Sequence, residues 1–203
     1  MKLRSSKAAG SFCCAKLGSF ELLINIEADP RIHSFCEFDF HAELPPTEAS
    51  EFGFLAAYFL RHQAGRFVIC ADPLLDSRLS RLRDSWDKLD SALAQKETWL
   101  FAVDPEKLRQ EPGWHNALEL ARCAQAEIDI EDEERVRQYV RSVGRCTIRE
   151  VMKLCRASAD SFDAILKLIA SGILVCEDEF ELSPGSRVGP TSPHSPTGSL
   201  GWF

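Results

Sequence analysis

Residues 66–73 read Arg-Phe-Val-Ile-Cys-Ala-Asp-Pro, and this stretch constrains the fold more than any other. An apolar run that follows a Gln63-Ala64-Gly65 turn predicts a central β-strand. Directly behind it, Leu75, Leu79, Leu82, Trp86, Leu89 and Leu93 recur at three- and four-residue steps, which predicts one long amphipathic helix over residues 74–96. The run Thr-Trp-Leu-Phe-Ala-Val at residues 98–103 reads as a short buried strand. Strand, helix and strand in succession make a crossover and place the chain in the α/β class. Open α/β sheets carry their chemistry at strand ends, so what stands at Cys70–Asp72 separates an enzyme from a scaffold.

The upstream chain supplies the rest of the sheet. Residues 19–28 predict a helix, with Ser19 as its cap and Phe20, Leu23 and Ile24 on one face. Asp29-Pro30 stops it, because proline disfavours helical geometry in the residue before it. Phe38 and Phe40 alternate with Glu37, Asp39 and His41, which predicts a half-buried strand over residues 31–44. Pro45-Pro46 opens a loop to residue 50. The aromatic stretch 51–62 reads as a second strand, with a short helix as the competing assignment because Ala56-Ala57 lie inside it. Gln63-Ala64-Gly65 then turns the chain into the third strand. Asp104-Pro105 begins a helical turn, with Pro at its favoured first position. Residues 111–125 form a further helix, interrupted near Pro112-Gly113. The order αβββαβ is that of the restriction-endonuclease-like core.

An acidic junction at residues 127–134 introduces a second domain. Residues 135–143 are helical and Gly144 closes them. Thr147-Ile148-Arg149-Glu150 has the form of a capping box and starts the next helix. Residues 161–171 make a third helix, with Phe162, Ile165, Leu166 and Ile169 inward and Gly172 at its end. Residues 173–177 and 180–182 are expected to pair as a hairpin around Asp178. Three helices and a two-stranded wing describe a winged helix. The expected organisation is a basic flexible arm at 1–18, the core at 19–126, the winged helix at 127–185, and a disordered Pro/Ser/Gly/Thr tail at 186–203.

Charge and cysteine usage narrow the function. The 203 residues carry a formal charge of −7, against a generally nucleic-acid-coated surface. The exception is the first stretch, where Lys2, Arg4, Lys7 and Lys16 precede any acidic residue; it reads either as a solvated chain end or as an arm that touches DNA phosphate. The eight cysteines show no Cys-x-x-Cys spacing and suit reduced thiols of a cytoplasmic protein. No apolar run approaches a membrane span, so no membrane partner is expected. Histidines 33, 41, 62, 115 and 194 are dispersed, without metal-ligand spacing.

Several motifs together carry a likeness. Glu21-Leu-Leu, Glu27-Ala-Asp-Pro30 and Ile32-His-Ser-Phe35 resemble the start of TnsA-type transposon endonucleases. Trp99-Leu-Phe-Ala-Val, Arg109-Gln-Glu-Pro112 and Asn116-Ala are similar to that family's later strand and helix, and Leu182-Ser-Pro-Gly to its tail domain. The resemblance implies magnesium chemistry, with a helix glutamate, a Pro-Asp-Phe triplet and an acid-x-lysine triplet converging on the metal. Glu21 falls at the helix glutamate. The other two positions fall on Ala56-Ala57-Tyr58 and Ala71-Asp72-Pro73, where the carboxylates and the lysine are missing. Taking Asp72 as the acid leaves Leu74 in the lysine's place. The resemblance therefore implies a TnsA-like protein of DNA transposition that has lost its metal site, needs no cofactor, and serves as a structural subunit beside a transposase or a related nuclease, as a homo- or hetero-oligomer. The alternatives are an active magnesium-dependent endonuclease with relocated ligands drawn from Glu21, Glu37, Asp39 and Asp72, and a winged-helix regulator. The third helix of the second domain offers Asp160, Ser161, Asp163 and Lys167, and the wing offers Glu177, Asp178, Glu179 and Glu181. That acidity repels phosphate and favours docking to protein.

Overall fold

In the computed structural model, which describes residues 2–8, 11–13, 17–53, 55–71, 75–178 and 180–191, the chain forms two units. The first comprises residues 1–3, 7–23 and 32–109, and the second residues 4–6, 24–31 and the chain from Gln110 onward.

Strands β1 (Lys2–Arg4) and β2 (Ser11–Cys13) form a small two-stranded sheet ahead of helix α1 (Leu17–Ala28). Residues 2–13 thus contain paired strands where a flexible arm was expected. After α1 come β3 (Ile32–Glu37), α2 (Pro46–Glu51), β4 (Ala56–His62), β5 (Gly65–Ala71), α3 (Leu75–Ala94) and β6 (Thr98–Val103). The four later strands make one mixed sheet in the order β3-β4-β5-β6. β3 pairs antiparallel with β4 and β4 with β5, whereas β5 and β6 run parallel. A parallel pair needs a long crossover, and α3 supplies it. From α1 onward the observed order is therefore helix, strand, short helix, two strands, long helix, strand, within a mixed α/β architecture; α2 interrupts the expected run of three strands.

Between β3 and β4 the chain departs from the alternating pattern. β3 ends at Glu37, because the Asp39 carboxylate accepts a hydrogen bond from the His41 N–H (2.9 Å) and turns the chain into a 3-10 turn over Phe40–Ala42. Local side-chain bonding of this kind competes with a strand ladder. Phe40 then stacks on Phe52 with ring centroids 4.9 Å apart, and Phe38 meets Phe40 edge-on. Residues 46–51 are helical, not a loop or the start of a strand. Pro46 occupies the first turn, where its missing N–H costs nothing. These segments cover one face of the sheet together with α3, in a core built from Phe40, Phe52, Val68, Cys70, Leu89 and Leu93.

The β4–β5 hairpin depends on Gly65. Its φ of 142° is a conformation that side chains resist, and a Cβ there would lie 2.4 Å from the Trp99 ring. β6, expected to be buried, is an edge strand: Trp99 is 51% exposed and Phe101 40%.

The second unit holds α5 (Gly113–Cys123), α6 (Ile130–Val143), β7 (Cys146–Thr147), α7 (Ile148–Met152), α8 (Ser161–Ala170), β8 (Leu174–Cys176) and β9 (Arg187–Pro190), with α4 (Pro105–Leu108) preceding it in the first unit. The small sheet has the order β7-β9-β8, both pairs antiparallel. The Thr147/Glu150 capping box is formed in full at the start of α7. Two expectations fail here. The partner of β8 is not residues 180–182 but Arg187–Pro190, which lies inside the stretch read as a disordered tail. Asn116 is the reason: its side chain donates to the Phe180 carbonyl (3.0 Å) and accepts from the Leu182 N–H (2.8 Å), holding the connection on α5. The boundary also differs, since α5 packs on α8 and belongs with the second unit rather than with the sheet.

Candidate functional site

α1 positions Glu21 on an almost wholly buried stretch in which Leu22, Leu23 and Ile26 have no exposure. Its carboxylate lies 3.3 Å from the Arg109 guanidinium, just past α4. Burial pushes the Glu21 pKa up and Arg109 pulls it partly back. A carboxylate so placed already has a cation against it. Arg109 is 88 residues away in sequence (109 − 21), and nothing local in either stretch announces the pair.

The other two positions that the resemblance singles out carry methyl groups. Ala57, beside the start of β4, is 5% exposed and belongs to the core cluster, and Ala71, the last residue of β5, is 5% exposed. Ala56 pairs with Ala71 and Ala57 with Cys70 in the ladder. Asp72 lies outside the described residues. Glu37 is exposed at the end of β3, and Asp39 is committed to capping the 3-10 turn. Among the described residues, no three His, Cys, Asp or Glu side chains converge as metal ligands would. Glu21 is paired with Arg109, and Ala57 and Ala71 bring no ligand atom of their own.

Of the basic residues near the start, Lys2 and Arg4 belong to β1 and their side chains are not among those described, while Lys16 lies outside the described residues. Lys7 is half-buried, and its carbonyl accepts from the Phe35 N–H (3.4 Å). Between them, Ser5 and Ser6 are held by Glu27 of α1, which accepts from the Ser5 hydroxyl (2.6 Å), the Ser6 N–H (2.7 Å) and the Ser6 hydroxyl. Glu27 has no exposure, so these donors satisfy a buried carboxylate. The sequence offered Glu27 only as part of a motif, with no indication of its donors.

α8 is the other candidate surface. Three of the four polar side chains expected to face outward, those of Asp160, Asp163 and Lys167, are used within the unit. Asp160 caps the helix through the N–H groups of Phe162 and Asp163. Asp163 takes both guanidinium nitrogens of Arg122 from α5, each at 2.8 Å. The Arg122 hydrogen bond holds the Asp163 carboxyl below its usual range against the opposing effect of burial. Lys167 donates to the Ala124 carbonyl at the end of α5 (2.7 Å). With Ala164, Ile165, Leu166, Leu168, Ile169 and Ala170 all buried, α8 is covered on its apolar side and engaged by α5 on its polar side.

The connection between β8 and β9 keeps its acids partly neutralised. Glu177 pairs with Arg145 (2.8 Å), Asp178 accepts from the Arg187 N–H (2.6 Å), and Glu181 lies 3.1 Å from His115. Phe180 stands 78% exposed among them. Four described thiols are pushed up by burial: Cys123 to about 12, Cys155 to about 11, and Cys146 and Cys176 in the same direction. In each, burial disfavours the thiolate, the form that acts as a nucleophile.

No protein-family model matches the sequence, and no curated protein matches it either.

Proposed function

We propose that this chain is a catalytically inactive, TnsA-like subunit of a DNA-transposition complex, built on a restriction-endonuclease-like core with a winged-helix domain behind it. The observation that carries the reading is the condition of Glu21. The one family carboxylate retained is buried against Arg109, while the positions of the other acids are the buried Ala57 and Ala71. Its support at the level of architecture is the order α1, β3, α2, β4, β5, α3, β6, with only the last pair of strands of that sheet parallel. The sequence of α6, β7, α7, α8, β8 and β9 supports the winged helix in the same way.

Within this reading the winged helix docks protein. A DNA-reading helix keeps its polar face free for base edges; α8 spends that face on Arg122 and Ala124. The partner is a transposase or an active nuclease subunit.

A nicking assay on supercoiled DNA with magnesium or manganese tests the catalytic half. The expected outcome is no cleavage by the wild type above a protein-free control. Cleavage that disappears in Glu21→Ala would overturn it, in favour of an endonuclease with relocated ligands.

A further inference from the structure

Among the described residues, β6 is an edge strand without the usual protections. Edge strands are ordinarily blunted by charge, proline or a bulge, whereas Thr98–Val103 has the sequence Thr-Trp-Leu-Phe-Ala-Val and pairs with β5 without a break. Trp99 and Phe101 stand out of one face of this edge, and both contact Phe67 of β5, with ring centroids 5.4 and 5.7 Å apart. Ala102 is exposed as well.

The backbone direction is fixed by one contact. The Phe101 carbonyl lies 3.6 Å from the Cys70 thiol of β5, so it points inward. Peptide groups alternate along a strand, and those of Thr98, Leu100 and Ala102 therefore point away from the sheet.

We infer that this edge is a homodimer interface, in which β6 of a second copy pairs antiparallel with β6 across a two-fold axis through Leu100. In that register Leu100 faces Leu100 of the second copy, and Thr98 faces Ala102, all through outward peptide groups. Trp99 falls opposite Phe101 on the exposed face in both halves, giving two cross-strand aromatic pairs. The charges flanking the strand select the same arrangement. Exposed Lys96, whose ammonium also reaches Glu43 of its own chain (2.6 Å), precedes it, and exposed Asp104, which also caps α4 by accepting from the Glu106 N–H (2.9 Å), follows it. An antiparallel pairing brings each lysine towards the other copy's aspartate, and a parallel one sets like against like. Glu97, of the opposite sign, is drawn towards Arg66 of its own chain at 3.6 Å. The contact is isologous and closes after two copies. It does not depend on the transposition reading.

Sedimentation velocity of the full chain across a concentration series tests it, together with amide hydrogen exchange resolved to single residues. The expected result is a monomer–dimer equilibrium. The Leu100 and Ala102 amides gain protection as concentration rises, while Trp99 and Phe101 amides are protected throughout by β5. Phe101→Lys and Ala102→Lys, each first shown by circular dichroism to be folded, are expected to weaken dimerisation roughly tenfold or more, because each buries an uncompensated charge. Three results would overturn the inference: a monomer at every concentration, a dimer unaffected by either folded variant, or protection of this edge that appears only when a different protein is added.

Discussion

Glu21 is a side chain whose ionisation and burial oppose one another. Burial raises its pKa, so the folded state is most favoured when the group is neutral, below its unfolded value near 4.3. That contribution is lost as pH rises through the folded value. Glu21→Gln is thus expected to raise the melting temperature at pH 7 and to make little difference at pH 4, as calorimetry at the two values would show. A destabilised variant at pH 7 would mean that the Arg109 pair outweighs the cost of burial. Gly65 presents a purely steric case. Gly65→Ala must adopt a φ of 142° with its methyl 2.4 Å from the Trp99 ring. A loss of about 2–4 kcal/mol is expected in urea unfolding. The turn at Gln63-Ala64-Gly65 was legible in the sequence because glycine marks such positions; the ring above it was not, because Trp99 belongs to a strand that arrives only after the crossover.

Among the elements, the α6–α7–α8 group turns on Asp132, a residue that nothing in the acidic run 131–134 distinguishes from its neighbours. It has no exposure, lies 2.7 Å from Arg135, and accepts from the N–H groups of Arg156 (3.0 Å), Ala157 (2.9 Å) and Ser158 (2.7 Å) and from the Ser158 hydroxyl (2.8 Å). Burial pushes its pKa up, but these hydrogen bonds prevail and hold it far below the usual carboxylate range. A depressed folded value means stability that is present above the unfolded value near 3.9 and lost as pH falls through the folded one. Asp132→Asn is expected to cost about 2–4 kcal/mol at pH 7, since an amide replaces an acceptor-only group. The gap to wild type should narrow as pH falls below about 4, and acid titrations of both proteins followed by circular dichroism check this. Helix periodicity and the Thr147 capping box were readable because both are local signals. The pairing of β8 with β9 was not, because Asn116 decides it from a helix far upstream.

On the scale of the whole molecule, the beginning of the chain is part of the fold. Ser5 and Ser6 satisfy Glu27, which is otherwise a buried acid near the end of α1. Deleting residues 2–8 is therefore expected to cost about 2–3 kcal/mol, the penalty for stripping donors from a buried carboxylate. Ser5→Ala with Ser6→Ala should reproduce part of that loss and not all, because the Ser6 N–H remains. Differential scanning calorimetry of the deletion and the double variant tests the point, and an unchanged melting temperature in the deletion would refute it. If DNA affinity also falls on deletion, Lys2→Ala with Arg4→Ala separates the phosphate contact from the loss of fold.

By itself the sequence determined the mixed α/β class, the crossover helix, the Gln63-Ala64-Gly65 turn and the capping box, because periodicity and turn chemistry act over a few residues. Its limits appear wherever a residue answers to one far along the chain. Tertiary structure alone decided that Asp39 would end β3, that Arg187–Pro190 would complete the small sheet, and that β6 would lie at an edge. It also decided the fates of the polar groups: Glu21 to Arg109, Glu27 to Ser5 and Ser6, Asp163 to Arg122. A buried charge must find its partner wherever folding brings one, and that partner leaves no mark on the local sequence.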